Sequence, residues 1–141
     1  FVINERCAAG AGTFIETMAR ALEVSVEDMG PLALKSANTI PMNAQCCVFA
    51  ESEVVTLIHS KVAKEDIAKA IHDAMAGRIA SMVLRVGVEK DVALIGGVAR
   101  NPGFWPPLKR ELNTEIVVPE YPEYVGALGA ALLAFETEGQ K

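Results

Sequence analysis

Cys7 and Cys46 are the residues of this sequence that could most directly hold a metal. Each stands shortly before a predicted helix, and a helix N-terminus lowers the pKa of a thiol and favours the thiolate that binds metals. Iron–sulfur clusters usually take four cysteine ligands, so two from one chain suffice only if two chains share a cluster. Free cysteines are also common as packing residues in cores, and spacing alone leaves that alternative open.

Other residues that could support metal or acid–base chemistry lack partners. His59 and His72 do not stand at a metal-ligand spacing from any cysteine, so zinc is disfavoured and both are interpreted as surface or packing residues. Glu51 and Glu53 are predicted to lie in the first turn of a helix, where they suit the positive end of the helix dipole. We therefore assign no catalytic residue.

A glycine-rich turn is the second candidate site. The apolar run 91–95 predicts a strand, and Gly96 and Gly97 follow it directly. Ligands of α/β sheets bind at the carboxyl ends of strands, and glycine lets the backbone approach them closely. Asn101 precedes a proline and is a candidate N-cap for the next helix. The pattern is neither a Walker loop nor a dinucleotide fingerprint, so ligand contact and a plain tight turn both remain open.

Composition excludes several functional classes. The 141 residues fit one domain, and the net charge of -5 argues against a nucleic-acid partner. No stretch reaches the roughly 18 apolar residues of a membrane span. The odd number of cysteines argues against a secreted disulfide scaffold and favours the cytoplasm. The chain begins without Met and has no signal peptide, which indicates a processed or cut piece of a longer protein.

The elements that must position these residues are mostly helices. A capping box at Thr13 and Glu16 predicts the start of one helix, and Ser25 with Asp28 predicts a second. Gly87 should end the longest helix, because apolar residues recur at helical spacing before it. Predicted helices cover about 13–22, 25–30, 31–37, 50–58, 64–86, 104–112 and 125–135, and predicted strands cover 91–95 and 115–118. This order predicts an α/β layer preceded by a helical insertion.

Four segments, in the right order, together resemble one family: residues 4–12, 46–54, 96–101 and 125–131. The sequence is similar to the 2-hydroxyacyl-CoA dehydratase activators and the ATP-hydrolysing subunits of benzoyl-CoA reductase. The two cysteine-bearing segments are the specific ones, whereas the glycine segments are shared with the wider superfamily of actin, Hsp70 and sugar kinases. The implied fold is the C-terminal half of an actin-like (ribonuclease H-like) ATPase domain with a helical insertion.

The resemblance also implies cofactors, partners and site residues. It implies a dimer, of identical or related subunits, that shares one [4Fe-4S] cluster held by Cys7 and Cys46 of each chain, with Cys47 left out. It implies ATP or ADP with Mg²⁺ bound near Gly10, Gly12, Gly96, Gly97 and Asn101. A ferredoxin or flavodoxin would supply the electron, and a 2-hydroxyacyl-CoA dehydratase or benzoyl-CoA reductase would receive it.

Residues 1–141 are expected to form a single domain that corresponds to the C-terminal subdomain of such an ATPase, with the front half missing. The phosphate loops and catalytic carboxylates of the family would lie in that front half, so the isolated chain should not hydrolyse ATP. Two alternatives remain: a sugar-kinase-like protein of the same fold without a cluster, and a non-catalytic helical interaction domain with cysteines as core filler.

Overall fold

The fold is dominated by helices and also contains a very short parallel sheet. The structure is a computed structural model, and it describes residues 1–4 and 10–138. In chain order its elements are α1 (Ala11–Leu22), α2 (Val26–Ala33), α3 (Cys47–His59), α4 (Lys64–Val86), β1 (Val92–Ala93), a 3-10 helix (Gly97–Arg100), α5 (Trp105–Leu112), β2 (Ile116–Val117) and α6 (Val125–Glu138). None of the helices in the described part of the chain is long and apolar enough to cross a membrane.

Helix α4 is the central element, and its predicted bounds are confirmed. Ile67, Ile71 and Met75 are completely buried, as the apolar stripe predicts, whereas Val86 at the end of the stripe is 56% exposed. Gly87 ends the helix with a φ of 97°, which a residue with a side chain adopts only with strain. Helices α1, α2, α3 and α5 all pack against α4 and enclose one core.

The starts of α1 and α2 are set in different ways. Helix α1 begins at Ala11 with Gly10 as its N-cap, and no side chain caps it, so the predicted capping box at Thr13 is wrong. The extended backbone of Gly10 already supplies the carbonyl that accepts the first helical hydrogen bond, from Phe14 at 3.0 Å. Ser25 does cap α2, because its Oγ accepts the Asp28 N–H at 3.1 Å. A single helix carries the chain through Pro31, where two helices were predicted.

Two other predicted helix starts also need correction. Helix α3 begins at Cys47, so Glu51 and Glu53 lie in its second turn and gain little from the dipole. Asn101 does not cap α5, whose N-cap is Phe104. The chain instead forms the 3-10 helix directly after Gly96, and Asn101 ends that helix.

The sheet joins β1 to β2 in parallel, with Val92 opposite Ile116 and Ala93 opposite Val117. The run 91–95 was predicted to be a buried strand, but Ile95 is 48% exposed and only two residues pair. No described side chain of α6 is buried either. Four large apolar side chains of α6 are strongly exposed: Leu128, Leu132, Leu133 and Phe135.

Candidate functional site

A cavity of about 700 Å³ lies between the starts of α1 and α2 and the 3-10 helix. It brings together four of the residues predicted to bind a nucleotide, namely Gly10, Gly12, Gly97 and Asn101. The chain separation between the two glycine-containing segments is large, so only the tertiary fold makes them neighbours. A Cβ on Gly12 would touch the side chain of Val98 at 3.4 Å, which shows how closely α1 approaches the 3-10 helix.

The cavity wall combines backbone N–H groups and Arg100, which favour an anionic ligand, with the carboxylates of Glu16 and Glu27, which oppose one. The first turn of an α-helix has backbone N–H groups without intrahelical partners, and these groups attract phosphates. The first turn of α1 forms part of the wall through Gly12 and Thr13. Gly97 is exposed, and a Cβ built on it would meet nothing within 4 Å, so the cavity is open above its backbone.

Gly96 has a different role from its neighbour, because it does not line the cavity. Its φ of 87° turns the chain from β1 into the 3-10 helix, and glycine is the residue that tolerates this value. Its N–H donates to the Pro122 carbonyl oxygen at 2.8 Å. Gly96 therefore shapes the turn that presents Gly97.

The side chain of Asn101 contacts a buried histidine, His72. The Asn101 Oδ1 accepts the Gly103 N–H at 2.9 Å and lies 3.2 Å from His72 Nε2. His72 is 1% exposed, and its Nδ1 donates to the Ala68 carbonyl oxygen at 2.7 Å. Burial lowers the pKa of His72, although its hydrogen bonds to Ala68 and Asn101 act in the opposite direction. The interpretation of His72 as a packing residue is correct, but its contact with Asn101 was not predicted.

Two glycines lock this turn against α2. A Cβ on Gly30 would lie 2.3 Å from Asn101 Oδ1, and one on Gly103 would lie 2.8 Å from the Gly30 Cα. Real side chains essentially never approach so closely, so both positions require glycine for space. Gly30 was not among the predicted site residues, although a glycine inside a helix is a recognised signal of close packing.

An ion pair joins Arg100, which lines the cavity, to Glu123 in the loop before α6. Arg100, at the end of the 3-10 helix, donates through Nε to both carboxylate oxygens of Glu123 at 3.0 Å. Hydrogen bonding from Arg100 lowers the pKa of Glu123. Arg100 is 55% exposed, so the pair adds little stability but ties the 3-10 helix to the loop before α6.

The cysteines lie elsewhere. Cys46 is the N-cap of α3, and both it and Cys47 are half-buried. Cys46 was predicted to lie shortly before a helix starting near residue 50, and the helix in fact begins at the next residue, Cys47. Cys7 lies outside the described residues, so its predicted pairing with Cys46 stays a prediction. Within ranges 1–4 and 10–138, no group of three or more His, Cys, Asp or Glu residues could hold a metal.

The segment before Cys46 is fixed by two residues whose contacts were not predicted. Glu53 is half-buried, and its Oε2 accepts the Asn43 N–H at 2.8 Å. Glu53 therefore ties this segment to α3. Asn43 Oδ1 in turn accepts the Gln45 N–H at 2.7 Å. Arg78 lies on α4, and its Nη1 donates to the carbonyl oxygen of Gln45 in the same segment at 3.4 Å. Glu53 follows Cys46 by two helical turns. This spacing could have suggested that Glu53 contacts the segment just before α3.

Comparison with known proteins gives a consistent result. The model of the BadF/BadG/BcrA/BcrD ATPase family matches residues 1–134. A 2-hydroxyisocaproyl-CoA dehydratase activator of Clostridioides difficile is 46% identical over the whole chain, and one of the subunits of benzoyl-CoA reductase from Thauera aromatica is 32% identical over 94% of it. The chain spans about half the length of these curated relatives, 54% and 49% respectively.

A solved structure extends the likeness to the fold. The activator of the 2-hydroxyisocaproyl-CoA dehydratase from Clostridium difficile, with bound ADPNP, superposes with a TM-score of 0.85 and 44% identity. The match covers 94% of this chain and 50% of that one. This match confirms the predicted fold class, which is half of an actin-like ATPase fold with a helical insertion. The match to an ATPase family also supports ATP as the nucleotide that the protein binds. The chain belongs to the BadF/BadG/BcrA/BcrD ATPase family.

Proposed function

We propose that this chain is part of an ATP-dependent activator that delivers low-potential electrons to a 2-hydroxyacyl-CoA dehydratase. One [4Fe-4S] cluster would lie between two identical or related subunits, held by Cys7 and Cys46 of each. The observation that carries the proposal is the position of the start of α1. Gly10 and Gly12 line the cavity, and Cys7 precedes Gly10 by only three residues. Nucleotide binding and a cysteine ligand are therefore separated by a very short stretch of chain.

The nucleotide would occupy the cavity between α1 and the 3-10 helix. Gly97 and Asn101 would contact it from one side, and Gly10, Gly12 and the free N–H groups of α1 from the other. Mg²⁺ would accompany the phosphates, as is usual for ATP sites. The exposed backbone of Gly97 permits close contact with a flat ring.

The chemistry of Cys46 fits a thiolate-bound cluster. Its place at the N-cap of α3 puts the sulfur at the positive end of a 13-residue helix, which stabilises the thiolate. When bound, the cluster supplies a one-electron redox centre. A single chain would supply two ligands where four are usual, so the proposal requires a second copy or a related chain.

Helices α1 and α3 would couple the two sites. They pack directly against each other, with Phe14 and Met18 of α1 and Ala50 and Val54 of α3 all buried in the same core. A nucleotide that favours one arrangement of α1 would shift the balance between two states of this pair. The geometry of the cysteine ligands would shift with it.

The partner enzymes are also part of the proposal. A dehydratase is favoured over a benzoyl-CoA reductase because the relative named for the former is the more similar, and the reductase remains the second candidate. A ferredoxin or flavodoxin would supply the electron. The site of action would be the cytoplasm, where thiols are kept reduced.

Iron binding tests the proposal. The protein is reconstituted anaerobically with iron and sulfide. The absorbance at about 400 nm and the iron content per dimer are then measured. Wild type and Cys47→Ser should bind about four irons per dimer, whereas Cys7→Ser and Cys46→Ser should bind almost none. Absence of iron from a folded, dimeric wild type would overturn the proposal and favour a sugar-kinase-like protein without a cluster. Loss of stability alone in the cysteine variants would favour the helical interaction domain.

A further inference from the structure

His72 of α4 is a buried titratable group whose two ring nitrogens both face oxygen atoms. Its Nδ1 lies 2.7 Å from the carbonyl oxygen of Ala68, which can only accept a hydrogen bond, so Nδ1 carries a proton. Its Nε2 lies 3.2 Å from Asn101 Oδ1. The Gly103 N–H, which can only donate, lies 2.9 Å from that same atom and fixes it as the oxygen of the carboxamide. A ring with one proton therefore satisfies only one of its two contacts.

The protonated ring matches these contacts better than the neutral ring does. In the neutral ring the lone pair of Nε2 faces the lone pairs of Asn101 Oδ1. With a second proton Nε2 donates to Oδ1, and a hydrogen bond from a charged donor is stronger than one from a neutral donor. Burial acts in the opposite direction and lowers the pKa of His72, which is 1% exposed. Two opposed influences thus act on the proton of Nε2.

The amide nitrogen of Asn101 remains available to a ligand. Asn101 lines the cavity of about 700 Å³, while its Oδ1 is directed towards Gly103 and His72. Among residues 1–4 and 10–138, Nδ2 has no acceptor, yet no buried side-chain nitrogen in those ranges lacks a partner. Nδ2 is therefore accessible to solvent, and it has two N–H groups that can donate.

We infer, on the basis of the proposed function, that His72 is a positioning residue for the nucleotide. By donating to Oδ1, His72 holds the carboxamide of Asn101 in the orientation in which Nδ2 donates to an oxygen or ring nitrogen of the nucleotide. A donor that is fixed before binding loses less conformational entropy when the ligand arrives. Nucleotide binding and protonation of His72 then favour each other, and this coupling is reciprocal.

The charged groups around His72 are mostly paired or exposed. Asp73, the next residue of α4, favours the protonated ring, but it is itself paired with Lys69 at 2.6 Å and with Arg110 of α5 at 3.2 Å. Gly103, which lies beside the ring, carries no charge. The other charged residues of α2, the 3-10 helix and α5 are exposed or ion-paired: Glu27, Asp28, Arg100, Lys109 and Glu111. A pH dependence of affinity that is lost when residue 72 is changed therefore reports the imidazole.

The test measures the affinity for MgADP by calorimetric titration between about pH 6 and pH 8, where histidine titrates. Wild type should bind several-fold more tightly at the lower pH. His72→Gln should bind well but lose this dependence, because its uncharged amide donates to Asn101 at every pH. His72→Leu should lose both the dependence and about tenfold in affinity. His59→Gln, at an exposed position, should behave as wild type. The phosphate of the nucleotide also titrates in this range, but its contribution is the same in every variant.

A second comparison shows whether His72 acts through Asn101. Asn101→Ala should weaken binding about as much as His72→Leu, and the double variant should lose nothing more, because both changes remove the same contact. A merely structural role of His72 predicts that the two losses add. Titration followed by nuclear magnetic resonance should show that saturating MgADP raises the pKa of His72 in wild type but not in Asn101→Ala.

The outcomes separate this inference from the proposed function. If wild type does not bind MgADP, the proposed nucleotide site fails and the inference fails with it. If wild type binds MgADP, and His72→Gln and His72→Leu match its affinity at every pH, the inference alone is overturned. Should His72→Leu not fold, as judged by circular dichroism, His72→Gln decides: loss of the pH dependence supports the inference, and an unchanged dependence overturns it.

Discussion

The proposed nucleotide cavity and the Cys46 segment are held in place by different kinds of contact. The turn beside the cavity is fixed by close packing, since Gly30 and Gly103 leave no room for a Cβ and His72 is buried beneath Asn101. The Cys46 segment is fixed by polar side chains that reach it from α3 and α4. Close packing tolerates little displacement, whereas hydrogen bonds at a half-exposed site can be exchanged for water. The fold therefore combines a tightly packed turn beside the cavity with a Cys46 segment that can adjust.

The largest expected effect is at Gly30. Gly30→Ala should destabilise the protein by about 2–3 kcal/mol, because the new methyl overlaps Asn101 and the Gly103 backbone. Gly77→Ala is the control, since nothing lies within 4 Å of a Cβ there and alanine favours a helix by roughly 0.5–1 kcal/mol. Urea unfolding measures both. Equal stability of Gly30→Ala and wild type would show that the turn is not tightly packed.

A side chain at Gly97 should affect binding rather than stability. Gly97→Val places atoms in the open cavity, so the affinity for MgADP should fall by at least about tenfold, or 1.4 kcal/mol. The melting temperature should stay close to that of wild type. Gly126→Val, in exposed α6, should leave affinity unchanged. Calorimetric titration gives the affinities, and an undiminished affinity of Gly97→Val would place the nucleotide elsewhere.

The buried histidine predicts a dependence of stability on pH. Because the pKa of His72 is lowered in the folded protein, the unfolded state binds more protons below about pH 6.5. The free energy of unfolding should therefore fall by on the order of 1 kcal/mol between about pH 6.5 and pH 5. Asp66 and Glu123 also have lowered pKa values, but they act only below their ordinary values of 3.8 and 4.5.

The histidine variants isolate this effect. His72→Gln should flatten the slope of stability between about pH 6.5 and pH 5, whereas His59→Gln should retain it, because His59 is exposed. Denaturant titrations at several pH values give the slope. An identical slope in His72→Gln and wild type would assign the dependence to another group.

The smallest effect is expected in the Cys46 segment. Glu53→Ala removes the acceptor of the Asn43 N–H and should reduce stability by about 1 kcal/mol or less. Amide exchange around residues 43–46 should increase, since the segment loses one of its ties. Glu51→Ala, on an exposed position of the same helix, should leave that exchange unchanged. Equal exchange in both variants would show that the hydrogen bond to Glu53 does not hold the segment.

Helices were predicted well where a pattern of side chains in the local sequence marks their bounds. Helix α4 has a long apolar stripe and a terminal glycine, and its bounds were predicted correctly. The starts of α1 and α3 were placed two and three residues late, because Gly10 and Cys46 cap them without a side-chain hydrogen bond. The family resemblance supplied Gly10 and Gly12, whereas the glycines that follow the predicted strand had already indicated Gly97.

Contacts between distant segments could not be predicted from local patterns. The contact between His72 Nε2 and Asn101 Oδ1 joins residues 29 apart, and the hydrogen bond between Arg78 and Asn4 joins residues 74 apart. Neither leaves a periodic or motif signal in the sequence. The burial of both side chains depends on how α4 packs against elements that lie far from it in the chain.

The central claim is that the nucleotide cavity is coupled to the cluster through α1. It is tested by the rate at which a chelator removes iron from the reconstituted protein, with and without saturating MgADP, in wild type and Gly97→Val. The nucleotide should change the rate several-fold in wild type and much less in Gly97→Val at the same concentration. An iron-loaded wild type that binds MgADP without any change in the rate would contradict the coupling.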